Sequence, residues 1–188
     1  MKPPDFVHLA LYALGGEIQG KTNLQKKIYF LILLMDRVDE LGYRPHFYGP
    51  YSDDVALAVE NLKTVGFVDQ NVVSGFATND FGFERRRYDY RLTDASRGVA
   101  EAKARQNPKL WGDLQKAVKR LKQAGELDYM KLSVAAKTFF LLGKRKNRAT
   151  KQELARLAPR FGWHVTAEEI EQAAQYLERL GLVKVVKD

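Results

Sequence analysis

The stretch Gly15-Gly16-Glu17-Ile18-Gln19-Gly20-Lys21-Thr22 decides how the chain is read. It satisfies G-x-x-x-x-G-K-[ST], the loop whose backbone N–H groups wrap phosphates while the lysine reaches the outer oxygens and the hydroxyl holds magnesium. A largely apolar segment, Phe6 to Leu14 with His8 inside it, precedes it and a helical pattern follows it. A P-loop nucleotide-binding enzyme is therefore one alternative. Two features oppose it. That fold needs several parallel strands joined by crossover helices, and the remaining sequence holds no such series. The acid that ends the next apolar run, Asp36, lies on the same helix that Thr22 opens, so it is not carried to a metal by a separate strand. Read as a link between two helices, with Gly15 closing the first and Thr22 capping the second, the stretch places the chain in another fold class.

Working outward, apolar spacing over 5–14 fits a helix, with a buried strand as the alternative for so short a run, and predicts a helix from Thr22 to about Leu41, carrying Leu24, Ile28, Leu31, Ile32 and Met35. Gly42, Pro45, Gly49 and Pro50 make a loop, and Ser52 caps a third helix through Val55, Val59 and Leu62 to Gly66. Phe67–Val73 and Arg87–Leu92 read as strands around a glycine-bearing loop, with Tyr88, Tyr90 and Leu92 on one face. Three helices followed by a two-stranded hairpin is the element order of a winged helix-turn-helix. Thr93 caps a helix over 94–106, and Pro108 separates it from another over 110–124.

The C-terminal part repeats the scheme. Gly143 and Thr150 each lie 128 residues after Gly15 and Thr22, Thr166 caps a helix ended by Gly181, and 182–186 reads as a strand. The expected fold is mostly α with small β-hairpins (α+β): two tandem winged helix-turn-helix-like domains, 1–93 and 128–188, joined by linker helices over 94–127.

Composition narrows the function. Among 188 residues, 31 Lys and Arg stand against 23 Asp and Glu, a net charge of +8 that suits a polyanionic partner. The absence of Cys excludes disulfides, thiolate metal sites and thiol catalysis. The longest apolar run, Ile28 to Met35, is eight residues, against roughly 20 for a membrane span. No signal-peptide pattern opens the chain, and a cytoplasmic protein without membrane attachment is expected.

Catalytic constellations are thin. His8, His46 and His164 lie in different elements with no metal-ligand spacing, and no nucleophile elbow is present. No catalytic residue, metal or cofactor is expected, and the chain is read as a binder, not an enzyme. The cations are unevenly placed. Arg85, Arg86 and Arg87 enter the second strand; Lys26 and Lys27 lie early in the second helix. Lys116, Lys119 and Arg120 share one face of the 110–124 helix, and Lys144, Arg145, Lys146 and Arg148 form an acid-free run. These are the expected contacts to the phosphates of double-stranded DNA. The 110–124 helix is also a candidate homodimer contact. The third helix of each copy is acidic, which ill suits base reading. The alternative is therefore a protein-interaction module that captures a partner through Tyr48, Tyr51, Asp54, Glu168 and Glu169.

Leu24-Gln25-Lys26-Lys27-Ile28-Tyr29-Phe30, followed by Phe47-Tyr48-Gly49-Pro50-Tyr51-Ser52, resembles the L-Q-K-[LI]-x-[YF] and Y-G-P-[YF]-S signatures of the YwgA-like predicted transcriptional regulators. More distantly it is similar to the Panacea (SocA-like) antitoxin domain. The likeness covers roughly residues 5–75. The first resemblance implies DNA-linked regulation and the second implies capture of a toxin. Panacea domains are largely single helical domains, whereas this chain carries a second copy from about residue 128. On the residues themselves, Gly49-Pro50 shapes the turn before Ser52, Leu24 and Ile28 face the core, and Gln25 and Lys26 or Lys27 are expected near the surface.

Overall fold

A computed structural model describes residues 2–74 and 86–186. Its elements are α1 (Pro3–Ala13), β1 (Glu17–Gln19), α2 (Lys21–Leu34), α3 (Asp53–Thr64), β2 (Val68–Ser74), β3 (Arg86–Leu92), α4 (Asp94–Gln106), α5 (Pro108–Gln123), α6 (Tyr129–Lys144), α7 (Lys151–Leu157) and α8 (Ala167–Arg179), with 3-10 turns over Val38–Leu41 and Ala158–Phe161. The chain is thus mostly helical with one small antiparallel sheet. Local chemistry starts many of these helices. Ser52, Thr93, Thr150 and Thr166 each accept a backbone N–H of the following helix, the last two in reciprocal capping boxes with Glu153 and Glu169. Among the described residues, no helix is long and apolar enough to cross a membrane.

The Gly15–Thr22 stretch is more than a helix–helix link. Glu17–Gln19 forms a strand that pairs antiparallel with β3, Ile18 opposite Tyr90, in a sheet of order β1-β3-β2. Thr22 is inside α2, and Gly20, at φ +86°, is the N-cap. The Gly20 N–H donates to the Tyr88 carbonyl at 3.1 Å and to Asp89 Oδ1 at 3.1 Å. The loop that matches a phosphate cradle in sequence therefore spends this N–H on the sheet.

Helix α2 is the hub. Its Leu24, Ile28, Phe30, Leu31 and Ile32 are buried in a cluster that also takes Leu9 of α1, Val55 of α3, Leu114 and Val118 of α5, Ala135 of α6 and Leu177 of α8. A smaller cluster gathers Leu141, Leu154, Trp163 and Ile170. The boundaries expected at 93 and 127 thus cut across one continuous core, and α5 is a core helix, not a spacer. Its apolar side is already covered within the chain, so a homodimer through this helix would have only its polar face to use. Two further expectations are corrected. Gly143 lies inside α6, which ends at Lys144, and the turn is made by Lys146 and Asn147 at φ +55° and +61°. Residues 182–186 form no strand, because no ladder partner lies beside them among the described residues; the Val185 N–H donates to Glu178 Oε1 instead.

Candidate functional site

The two motif stretches are halves of one device. Gln25 Nε2 donates to the Ser52 carbonyl at 2.9 Å, and the Ser52 N–H donates back to Gln25 Oε1 at 3.1 Å. Lys26 Nζ donates to the Pro50 carbonyl at 2.7 Å. Tyr43 OH donates to the Gln25 carbonyl at 2.9 Å. Ser52 Oγ accepts the Val55 N–H at 3.0 Å and donates to the Leu41 carbonyl. Gln25 and Lys26 are each only 1% exposed, which corrects their expected surface position and removes Lys26 from the phosphate contacts. The reason is that α2 is covered on nearly every side, so a periodic pattern cannot mark a wet face. Burial, and secondarily the charge of Lys137, lowers the Lys26 amine to about 7.

The loop so gripped is a miniature hairpin. Arg44 and Tyr51 exchange backbone hydrogen bonds, and His46 and Gly49 close a turn with two more, at 3.2 and 2.9 Å. Gly49 sits at φ +94°, and a Cβ there would meet Lys137 Cγ at 3.0 Å and the Ser133 carbonyl at 3.3 Å. Trp163 Nε1 donates to the His46 carbonyl at 2.6 Å. The hairpin is therefore clamped between α2 on one side and α6 with the α7–α8 connection on the other. Tyr51 faces the His46 ring at 4.9 Å, with Lys21 Nζ 5.9 Å from the Tyr51 ring centre. Burial and then the Lys26 and Arg44 charges lower the His46 pKa. Phe47, at the tip, is 72% exposed. Phe47, Lys137 and Trp163 were not singled out by sequence; the only hint was that Phe47 adjoins the Tyr48–Ser52 motif.

The expected phosphate contacts scatter over several surfaces. Arg85 lies outside the described residues. Arg86 is exposed, while Arg87 is half-buried and binds Asp89 through two hydrogen bonds of 2.8 and 2.9 Å. Lys27 is half-buried; Lys116 and Lys119 are exposed, with Lys116 3.7 Å from Asp113. Arg120 donates to the Leu180 carbonyl and so caps the end of α8. The densest exposed group is the turn after α6. Lys144 lies over Phe140 at 5.0 Å, Arg145 pairs with Glu153 at 3.0 Å, and Lys146 and Arg148 are exposed with no ion pair among the described residues.

Of the acids expected on the alternative surface, Glu169 is engaged internally, as are the neighbouring Glu171, Asp53 and Glu60. Glu169 is part of a capping box and Glu171 pairs with Lys151 at 2.5 Å; Asp53 pairs with Arg44 at 2.5 Å and Glu60 with Lys63 at 2.8 Å. Asp54 and Glu168 are exposed, and Tyr48 and Tyr51 are half-buried. Leu57, 62% exposed, borders a groove of about 230 Å³ lined also by Lys21, Leu24, Val59, Glu60 and Tyr90. His8 is fully buried, its Nε2 3.1 Å from both the carbonyl and Oγ of Ser96, its Nδ1 3.4 Å from Lys103 Nζ. With a cation, not a carboxylate, on Nδ1, this is a polar tie between α1 and α4, unlike an activated Ser–His pair. No group of His, Asp or Glu among the described residues could hold a metal ion.

No protein-family model matches the chain. It is 25% identical over 172 residues to the uncharacterized protein YwgA of Bacillus subtilis, an alignment covering 92% of this chain and 93% of that protein. The similarity therefore runs far beyond the motif-bearing residues 5–75, into the later helices that include α6.

Proposed function

We propose that the chain is a DNA-binding transcriptional regulator of winged-helix type that holds duplex DNA mainly by its phosphates. The observation that carries the reading is topological. The order α1-β1-α2-α3-β2-β3, with β1 against β3 in a β1-β3-β2 sheet, is the order expected of a winged helix and supports the reading. On this reading α6, α7 and α8 correspond to the same three helices in a second copy. The exposed Lys144–Arg148 turn and the +8 net charge supply the attraction to a polyanion. The test is fluorescence anisotropy with a labelled duplex over about 50 to 200 mM salt, where each phosphate held contributes about 0.9 to the log–log slope. Absence of binding at the lower salt defeats the reading.

One observation favours a second reading, an antitoxin-like module that captures a protein. The outer face of α3, the helix that would enter the major groove, carries Asp54, Leu57 and Glu60. These suit an apolar anchor flanked by a basic side chain better than phosphate. Substituting Leu57 by Ala separates the two, since it would remove the apolar anchor for a protein without adding charge and leave phosphate-driven binding near its original strength.

A further inference from the structure

The turn that carries Phe47 and the basic turn after α6 belong to different halves of the sequence, yet a continuous line of contacts joins them. Lys144 Nζ lies 5.0 Å from the Phe140 ring centre, Phe140 meets Trp163 edge-on at 5.6 Å, and Trp163 binds the His46 carbonyl. Phe47 is the next residue and rests edge-on against the His46 ring at 5.1 Å. The turn around it is held by Lys26 at the Pro50 carbonyl, by Trp163 at the His46 carbonyl and by the close approach of Gly49 to α6. An aromatic ring 72% exposed on so restrained a turn is a rigid apolar probe. Cations lie on the elements that hold the turn: Lys21 stands over the Tyr51 ring, Lys137 over Trp163 and Lys144 over Phe140 at the far end of the line of rings, while Arg44 and the adjoining Asp53 neutralise each other. Apolar side chains on such surfaces enter base steps, unstack them and kink the duplex.

Resting on the DNA-binding reading, we propose that Phe47 is an aromatic wedge that enters a base step of a duplex whose flanking phosphates are held by the Lys144–Arg148 turn. No bond is made or broken. The gain is the stacking of one ring against a base, and the signature is a bend.

The test uses the full chain and a duplex of about 30 base pairs carrying a fluorescence donor at one end and an acceptor at the other, at about 50 mM salt. The wild type should shorten the end-to-end distance. Phe47→Ala should bind at least about fivefold more weakly, as expected for loss of one base–aromatic contact, with the salt slope unchanged and the shortening gone. Phe47→Trp should retain both. Equal affinity and equal shortening in Phe47→Ala, or wild-type binding without shortening, would overturn the wedge while leaving DNA binding intact. A wild type that does not bind would overturn the DNA reading beneath it. Phe47 makes little packing contact, so unchanged circular dichroism in Phe47→Ala is expected and guards against loss of fold.

Discussion

Trp163 donates its indole N–H to the carbonyl of His46, 117 positions earlier in the chain, at 2.6 Å. Because the ring is itself 1% exposed, the bond ties a surface hairpin to the smaller core of the second half. Trp163→Phe keeps most of the apolar volume and removes the donor. A loss of about 1–2 kcal/mol in urea denaturation is expected, with faster amide exchange in residues 44–51 as the local readout. Trp163→Ala adds a cavity and should cost about 3–5 kcal/mol.

The reciprocal pair between Gln25 and the Ser52 backbone predicts an effect of similar size. Gln25→Leu matches the size but leaves the buried Ser52 N–H unpaired, while the Ser52 carbonyl keeps the Ala56 N–H at 3.2 Å. Thermal denaturation should therefore show a destabilisation of about 1–3 kcal/mol.

Gly49→Ala is disfavoured twice, by its φ of +94° and by the Cβ contact with Lys137 at 3.0 Å. A cost of about 1–3 kcal/mol is expected for backbone held outside the usual regions. Shortening the Lys137 side chain should recover the part due to that contact and none of the part due to φ or to the Ser133 carbonyl at 3.3 Å. A double-mutant cycle in urea measures the split.

Lys26 predicts a pH dependence. Its amine is lowered to about 7 in the folded chain from an ordinary 10.5, so between these values the unfolded chain holds more protons than the folded one. Stability from this group is then flat below about pH 7 and rises with pH above it. The lowered Lys137 acts in the same direction; the lowered His8 and His46 do so only at and below their ordinary 6.5. Buried Tyr29 and Tyr43, whose pKa values are raised, oppose the trend only as pH approaches 10. Urea midpoints between pH 7 and 9.5 should climb in the wild type and climb less in Lys26→Met.

For DNA, Lys146→Glu with Arg148→Glu should flatten the salt slope by about two phosphate contacts. Melting temperature should hardly move, since neither side chain is ion-paired among the described residues.

Much of the fold was legible where the signal is local. Ser52, Thr93, Thr150 and Thr166 each cap the helix their positions announced, because a cap depends on the next three residues. What escaped depends on distant partners. Three residues, Glu17–Gln19, are a strand only because Asp89–Arg91 lie alongside. Lys26 was taken for a surface cation because nothing in the α2 pattern reveals that a hairpin roofs it. At the site, the motif residues were found and their partners missed, since Lys137 and Trp163 reach the hairpin only through tertiary packing.

The placement of α2 at the meeting point of α1, α3, α5, α6 and α8 has a consequence for cooperativity. A chain severed near Gly125 would leave a first fragment with α2 stripped of α6 and α8, and a second with the inner sides of those helices facing water. Neither piece keeps a closed interior, so the segments before and after Gly125 should melt together in a single calorimetric transition, and mixed fragments should recover structure only by reassembling.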